Sequence, residues 1–289
     1  MPRVRGVAGA LLAQAKNGSV FIVRLPMAAG SDPDRVHGAS APLPCVLRPS
    51  SMRRRLIGKA LMLAGATVPI SGKATDTRTV FTFGDSILDC GHYNEHGVDP
   101  GQLIVSNHDR MFPEFRGRDL QSRGPARLVH RAVDGATVAG LDVQLRSLPG
   151  DIQGSPSDTE QVALLTVGGN DLLRGLAADR GQGMLAFEKT LESFLSRLPI
   201  RPVLIGTVYD PTFGNDARNF LGVEARLARG NHRRINDILR QAADRYGRLA
   251  DVHRHFLGGD PSWYTHVIEP SLTGASEVRR VFLEAIERG

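Results

Sequence analysis

From residue 79 onward, short runs of apolar residues alternate with longer stretches in which apolar residues recur every three or four positions. The short runs are apolar at successive positions, which is typical of strands buried on both faces of a sheet. The longer stretches have the spacing of amphipathic helices, as in residues 231–246, where Ile235 and Leu239 share one face. The five strand candidates lie within residues 80–84, 127–136, 162–171, 201–210 and 248–256.

Buried strands separated by helices indicate a parallel sheet covered by helices on both sides. The pattern therefore predicts an α/β fold, a single flavodoxin-like three-layer α/β/α domain with a five-stranded parallel sheet over residues 79–289. Two further helices are predicted for residues 184–197 and 273–288, and the domain contains no internal repeat.

The first 74 residues have a different character. Residues 1–51 lack helical or alternating periodicity and include a Pro-, Ser-, Gly- and Ala-rich stretch, which indicates disorder or an upstream extension. Residues 52–74 have the layout of a signal peptide: three arginines after Met52, a modestly apolar stretch and small residues at the end. Arg53-Arg54 also loosely fits a twin-arginine signal. We expect a secreted or periplasmic protein if translation starts at Met52, and otherwise a cytoplasmic one.

Composition narrows the range of partners. The net charge of +6 comes from the first 78 residues, which hold 12 of the 36 Lys+Arg but 3 of the 30 acids, so residues 79–289 have 24 − 27 = −3. A mildly acidic domain disfavours a nucleic-acid groove. Of the two cysteines, Cys90 alone falls in the domain, which excludes a disulfide framework or a Cys-based zinc site there. Residues 52–74 are too short and too weakly apolar for stable membrane insertion.

Polar or glycine-containing turns follow most of the predicted strands. These turns are Gly84-Asp85-Ser86, Asp134-Gly135-Ala136, Gly168–Asp171 and Tyr209-Asp210-Pro211. The carboxyl ends of parallel strands meet at one edge of a sheet, where binding sites of such folds form. The pattern therefore predicts a site that contains Ser86.

The first three of these turns, in this order, resemble the conserved blocks of the SGNH, or GDSL, hydrolase family, and the similarity runs from about residue 79 to the end. The resemblance implies a nucleophilic Ser86 and an oxyanion hole made by the Ser86 N–H, the Gly135 N–H and the Asn170 side-chain amide. The chemistry agrees: a serine hydroxyl needs a base to become nucleophilic, and the developing oxyanion needs preorganised donors.

The fourth block departs from the family pattern. The family usually has Asp-x-x-His-Pro, whereas this chain has His266-Val267-Ile268-Glu269-Pro270, so the acid and the histidine are exchanged. Three interpretations remain open for the base: His266 oriented by Glu269, Glu269 itself with a pKa raised by burial, or one of the histidines that follow Ser86. Loss of activity is a fourth. The other histidines are His92, His96 and His108.

The leading hypothesis is a serine esterase, without metal or cofactor, that acts on a small or carbohydrate-linked ester. A binding protein on an altered hydrolase scaffold is an alternative, because the fourth block has changed and a fold does not determine a function. A metal-dependent phosphoesterase is the third and weakest hypothesis. Gly84–Asp89 and Gly230-Asn231-His232 resemble parts of its motifs, but the latter opens a predicted helix.

Overall fold

The structure is a computed structural model that describes residues 10–14, 20–24, 77–148 and 160–288. The chain divides into two compact units, residues 1–67 and 68–289. In the first unit, β1 (Ala10–Gln14) and β2 (Val20–Arg24) form an antiparallel pair. This pair falls within residues 1–51, for which no regular structure is predicted, and the signal-like segment 52–74 lies outside the described residues.

The second unit is built on a five-stranded sheet in which every neighbouring pair is parallel. The strand order is β4-β3-β5-β6-β7, so the first strand of the domain lies between the second and the third. This is the flavodoxin-like order, and the predicted fold class is confirmed. The strands are β3 (Arg78–Gly84), β4 (Ala126–His130), β5 (Gln161–Thr166), β6 (Val203–Gly206) and β7 (Gly247–Ala250).

Alternate side chains of the central strands enter two separate cores, as the period of a strand requires. Phe81 and Phe83 of β3 belong to the core beneath α4 (Gln182–Arg197) and α5 (Ala225–Tyr246). Val80 points into the opposite core, beneath the other helices. Both faces are thus buried, which explains the continuous apolar runs. The opposite core is covered by α1 (Pro100–Val105), α6 (Val252–Leu257) and α7 (Leu272–Glu287).

The predicted strand 248–256 is too long. The strand ends at Ala250, and α6 follows almost at once. The Asp251 side chain accepts a hydrogen bond from the Arg254 N–H and so caps the first turn of α6. This local cap outweighs the β-prone Val and Phe of the segment. No helix in residues 77–148 or 160–288 is long and apolar enough to cross a membrane.

Gly84, the last residue of β3, can be replaced only at a high cost in stability. Its φ is +117°, and a Cβ built there would lie 1.6 Å from the backbone oxygen of Thr166. We expect Gly84→Ala to lower the free energy of unfolding by at least about 3 kcal/mol, since it combines backbone strain with a clash against the sheet. Chemical denaturation measures the change. The control is Gly117→Ala, where φ is +72° but the space is open, with an expected cost of about 1 kcal/mol.

Candidate active site

Ser86 lies in the tight turn that follows β3, and its neighbour Asp85 holds that turn in place. Asp85 Oδ1 accepts hydrogen bonds from Thr166 Oγ1 at 2.8 Å and from the Ile87 N–H at 3.2 Å. The turn is thereby tied both to itself and to the neighbouring strand β5. Ser86 is 7% exposed, which leaves its hydroxyl accessible from one side only.

The Asp85 carboxyl has an unusual pKa. Complete burial raises this pKa from 3.8 to about 7, against the lowering effect of the hydrogen bonds from Thr166 and Ile87. The negative charges of Glu269 and Asp171 raise it further. Ser86 therefore stands beside a buried carboxyl group whose pKa is raised toward neutrality.

Three donors predicted to form the oxyanion hole make no hydrogen bond with any described residue. They are the Ser86 N–H, the Gly135 N–H and the side-chain amide of Asn170. Asn170 lies in the first turn of the short helix α3 (Gly169–Leu173), whose N-cap is Gly168, so its side chain is not the cap. Backbone donors at such turns normally find a partner. Of these donors, the Asn170 amide shares a cleft with Ser86, which suits it to bind a negative oxygen there, whereas Gly135 does not line that cleft.

Residues that follow Asn170 hold the Gly135 turn. Arg174 donates a hydrogen bond to the Gly135 carbonyl at 3.0 Å, and Asp171 accepts one from the Val138 N–H at 3.1 Å. Gly135 has a φ of +74°, in the left-handed region that favours glycine. The second and third blocks are thus joined directly. Arg174 carries no motif signal, and only its position four residues after Asn170 could have drawn attention to it.

Glu269 is placed by a small antiparallel hairpin that is separate from the main sheet. Its strands are β8 (Tyr264–Thr265) and β9 (Glu269–Pro270), paired in the register Thr265 to Glu269. The turn between them has two consecutive residues in the left-handed region, His266 with φ 47° and Val267 with φ 76°. The buried Tyr209 hydroxyl donates a hydrogen bond to the Ile268 carbonyl at 2.5 Å and fixes the hairpin against the domain.

The cleft beside the nucleophile brings Ser86, Asn170 and Glu269 to one cavity, lined by residues from segments 85–87, 169–173, 208–232 and 268–269. Burial raises the pKa of Glu269 above its usual value of 4.5, while the nearby Ser86 hydroxyl opposes the rise. Within the described residues, the buried Oε2 of Glu269 has no hydrogen-bond partner. The carboxyl group that faces the serine is therefore available to accept a proton.

His266 takes a different position. Its side chain is exposed, does not line the cleft and packs edge-on against the Tyr93 ring, with ring centroids 5.4 Å apart. Its role as the base stays a prediction. Electrostatic interactions with His266 and with His92 lower the pKa of Glu269, so both imidazoles lie near the carboxyl group.

The three histidines that follow Ser86 most closely in the sequence all lie outside the cleft. His92 Nε2 lies 3.2 Å from Asp134 Oδ2, and the Tyr93 hydroxyl donates to the same oxygen at 2.8 Å. His96 lies 3.3 Å from Glu95, and both His96 and His108 are exposed. None of the three lines the cleft.

Asp89, Asp99 and His130 form a cluster next to the site, and each offers a possible metal-ligand atom within 4.8 Å of the others. The cluster already has structural bonds: Asp89 Oδ2 accepts from the Asp134 N–H at 2.7 Å, and Thr82 Oγ1 lies 2.8 Å from His130 Nδ1. Burial alone would raise the pKa of Asp89, but the hydrogen bonds from His130 and Asp134 outweigh burial and lower it. The cluster thus helps to hold the segment that carries Gly135.

Several solved structures share this architecture. They include LAE5, an alpha/beta hydrolase enzyme from the metagenome of Lake Arreo, Spain, with 24% identity and a TM-score of 0.51 over 74% of this chain and 96% of that one. The acetylxylan esterase Axe2 from Geobacillus stearothermophilus has 20% identity and a TM-score of 0.51 over 73% and 95%. The lipase Lip_vut3 from a goat rumen metagenome has 17% identity and a TM-score of 0.52 over 72% and 97%. At these identities the likeness shows a common fold.

No curated protein matches the sequence. The profile of the GDSL-like Lipase/Acylhydrolase family matches residues 82–274, which include the Ser86 turn, the segments of Gly135 and Asn170, and the hairpin of Glu269. This match covers about two thirds of the chain and agrees with the order and placement of the four blocks. The chain belongs to the GDSL-like lipase/acylhydrolase family.

Proposed function

We propose that the protein is a serine carboxylic ester hydrolase that forms an acyl-enzyme on Ser86. The observation that carries this proposal is the cleft in which the Ser86 hydroxyl faces the Glu269 carboxyl group, next to the Asn170 amide. A nucleophile, a group able to take its proton and donors for the oxyanion are the three parts that acyl transfer needs.

The chemistry proceeds in two halves. Glu269 accepts the proton of Ser86 Oγ as this oxygen bonds to the ester carbonyl carbon, and the carbonyl oxygen becomes an oxyanion held by the three donors. The C–O bond to the alcohol then breaks, and the protonated Glu269 gives its proton to the leaving oxygen. In the second half Glu269 takes a proton from water, the hydroxide attacks the acyl carbon, and Ser86 recovers its proton as the acid departs.

We assign the base to Glu269 rather than His266 on geometry. Glu269 is inside the cleft with a buried oxygen that lacks a partner, whereas His266 is exposed against Tyr93. A carboxylate with a raised pKa is a stronger base than an ordinary one, so burial supports this role.

The natural substrate that we propose is a small or carbohydrate-linked ester. Residues around Glu269 but outside the cleft are polar and aromatic, namely His92, Tyr93, Asp134 and His266. Such groups suit a hydroxyl-rich alcohol. One solved structure with this fold is an acetylxylan esterase, which agrees with a sugar ester.

The first test is turnover of p-nitrophenyl acetate together with labelling by a fluorophosphonate probe. We expect hydrolysis above the rate of buffer and covalent attachment of the probe to Ser86, located by peptide mass spectrometry. Folded protein that neither hydrolyses esters nor reacts at Ser86 would instead support a binding protein. Loss of activity on treatment with a chelator would favour metal-dependent chemistry at the Asp89 cluster.

The pH dependence of kcat/KM reports the identity of the base. Only the deprotonated carboxylate can accept the serine proton, so activity is expected to rise with pH through the pKa of Glu269, above 4.5, and to be lost below it. In Glu269→His, the pH at which activity rises should move toward the ordinary pKa of an imidazole, about 6.5. Rate profiles between about pH 4 and 9 measure both limbs.

Asp85→Asn is the control for the other titrating carboxyl group, whose pKa is about 7. If the wild-type limb lies near that value and disappears in Asp85→Asn, it belongs to Asp85. A limb that His266→Ala removes would assign the base to His266 and contradict the proposal.

A further inference from the structure

We propose that one apolar wall of the active-site cleft binds the acyl chain, and that the preferred acyl group is an unsubstituted alkyl chain longer than acetyl. This inference rests on the proposed function and gives the substrate class of the same site. The acyl wall, as we name it, consists of Leu172, Leu173, Val208, Phe220, Leu221 and Ala225.

The acyl wall comes from two segments of the chain. Leu172 and Leu173 belong to α3, directly after the oxyanion residue Asn170, and the others come from residues 208–225 between β6 and α5. Leu173 is 42% exposed although it is apolar, which leaves it open to contact with a ligand. An alkyl chain on the carbonyl carbon would thus find apolar side chains in the same cleft as Ser86.

The polar side chains of this part of the cleft are already engaged with one another. Asp210 accepts from the Thr212 N–H at 2.9 Å and pairs with Arg229 at 3.3 Å. His232 Nε2 lies 2.8 Å from the Val208 carbonyl oxygen, and Asn219 donates to the Val223 carbonyl at 2.7 Å. These bonds engage polar side chains that line the cleft beside the acyl wall, so a polar substituent on the acyl chain would lose its water without gaining a new partner.

A group of polar residues that lies near Glu269 but outside the cleft suits the alcohol. Asp134, His92 and His266 act on the pKa of Glu269 through their charges, yet none of them lines the cleft. The leaving oxygen must receive its proton from Glu269, so the alcohol lies on the side of this carboxyl group. Polar groups on one side and apolar side chains on the other divide the ester into a polar alcohol and an apolar acyl group.

A chain-length series tests the assignment. We would measure kcat/KM for p-nitrophenyl acetate, butyrate and hexanoate, which share a leaving group. Each buried methylene contributes about fourfold, so butyrate should exceed acetate by about tenfold or more. Ala225→Leu fills the cleft at the start of α5 and should lower the butyrate-to-acetate ratio at least about fivefold. Leu173→Ser, at an exposed position that folding does not require to be apolar, should also lower the ratio.

The matched control is Ala217→Leu, which adds the same side chain to an exposed position of the same segment outside the cleft. Its ratio should equal that of the wild type. Circular dichroism checks that each variant is folded, and if Ala225→Leu does not fold, Leu173→Ser decides.

The outcomes separate this inference from the proposed function. One outcome is that acetate is hydrolysed while the wild-type butyrate-to-acetate ratio is one or less, or while neither cleft variant changes that ratio. In either case the assignment of the acyl wall is wrong, and the proposal of an esterase is unaffected. A series of acetate esters of longer alcohols provides the second arm. If the cleft variants change preference in that series and not in the acyl series, the wall binds the alcohol. If no ester is turned over and Ser86 does not react with a fluorophosphonate, the proposed function itself fails.

Discussion

Ser86→Ala is expected to lower kcat/KM for p-nitrophenyl acetate by at least about a thousandfold, to the level supported by the oxyanion donors alone. The alanine keeps the backbone N–H and the tight turn but has no oxygen to form the acyl-enzyme. Labelling by the fluorophosphonate should disappear with it. The rate and the labelling are both measured on variant protein whose thermal unfolding temperature equals that of the wild type.

Ser193→Ala is the matched control, because this serine is exposed on α4, far along the chain from every site residue. It should leave turnover and labelling unchanged. Ser86→Ala with wild-type turnover would show that the strand-end serine is only a turn residue and that hydrolysis occurs elsewhere.

Glu269→Gln is expected to lower kcat/KM by about a hundredfold to ten-thousandfold, the range that general-base catalysis contributes. Glutamine has nearly the same shape and can still accept a hydrogen bond from Ser86, but it cannot hold the transferred proton. His266→Ala is its comparison and should cost less than about fivefold, since the imidazole is outside the cleft. Steady-state kinetics on one ester compares the two.

The double variant His266→Asp with Glu269→His tests the same point from the other direction, since it restores the order of acid and histidine that is usual in the family. If position 269 supplies the base, the double variant should be more active than Glu269→Gln. The pH at which its activity rises should lie near the ordinary pKa of imidazole. A Glu269→Gln protein that keeps full activity while His266→Ala is inactive would reverse the assignment.

Hydrophobic patterning predicts the sheet well because both faces of the three central strands, β3, β5 and β6, are buried, which leaves continuous apolar runs that few other structures require. The motif residues Ser86, Gly135 and Asn170 can be placed in advance for a related reason. Each follows a strand closely, so the position of the strand end decides where the residue lies. The end of the fifth strand is less predictable, because Asp251 starts a helix through a side-chain contact that apolar patterning does not register.

Apolar patterns and motifs predict neither the hydrogen bonds of Arg174 and Tyr209 nor the choice of Glu269 over His266 as the base. Arg174 and Tyr209 act on the carbonyl groups of Gly135 and Ile268, which are 39 and 59 positions away, and any residue has a carbonyl group. Which of two residues three positions apart faces the serine depends on the backbone of the turn between them. A left-handed backbone angle is unusual for a β-branched residue such as Val267, so composition gives no indication of this turn.

The hairpin that carries Glu269 makes the site modular. Ser86, Gly135 and Asn170 lie on turns that follow strands of the parallel sheet, whereas Glu269, the proposed proton acceptor, stands on a separate two-stranded unit to which Tyr209 bonds. A change of residue in this unit alters the proton-accepting group while the geometry around the serine is retained. A chain organised in this way offers protein engineers a means to adjust the working pH of a hydrolase through one short segment, without redesigning its catalytic sheet.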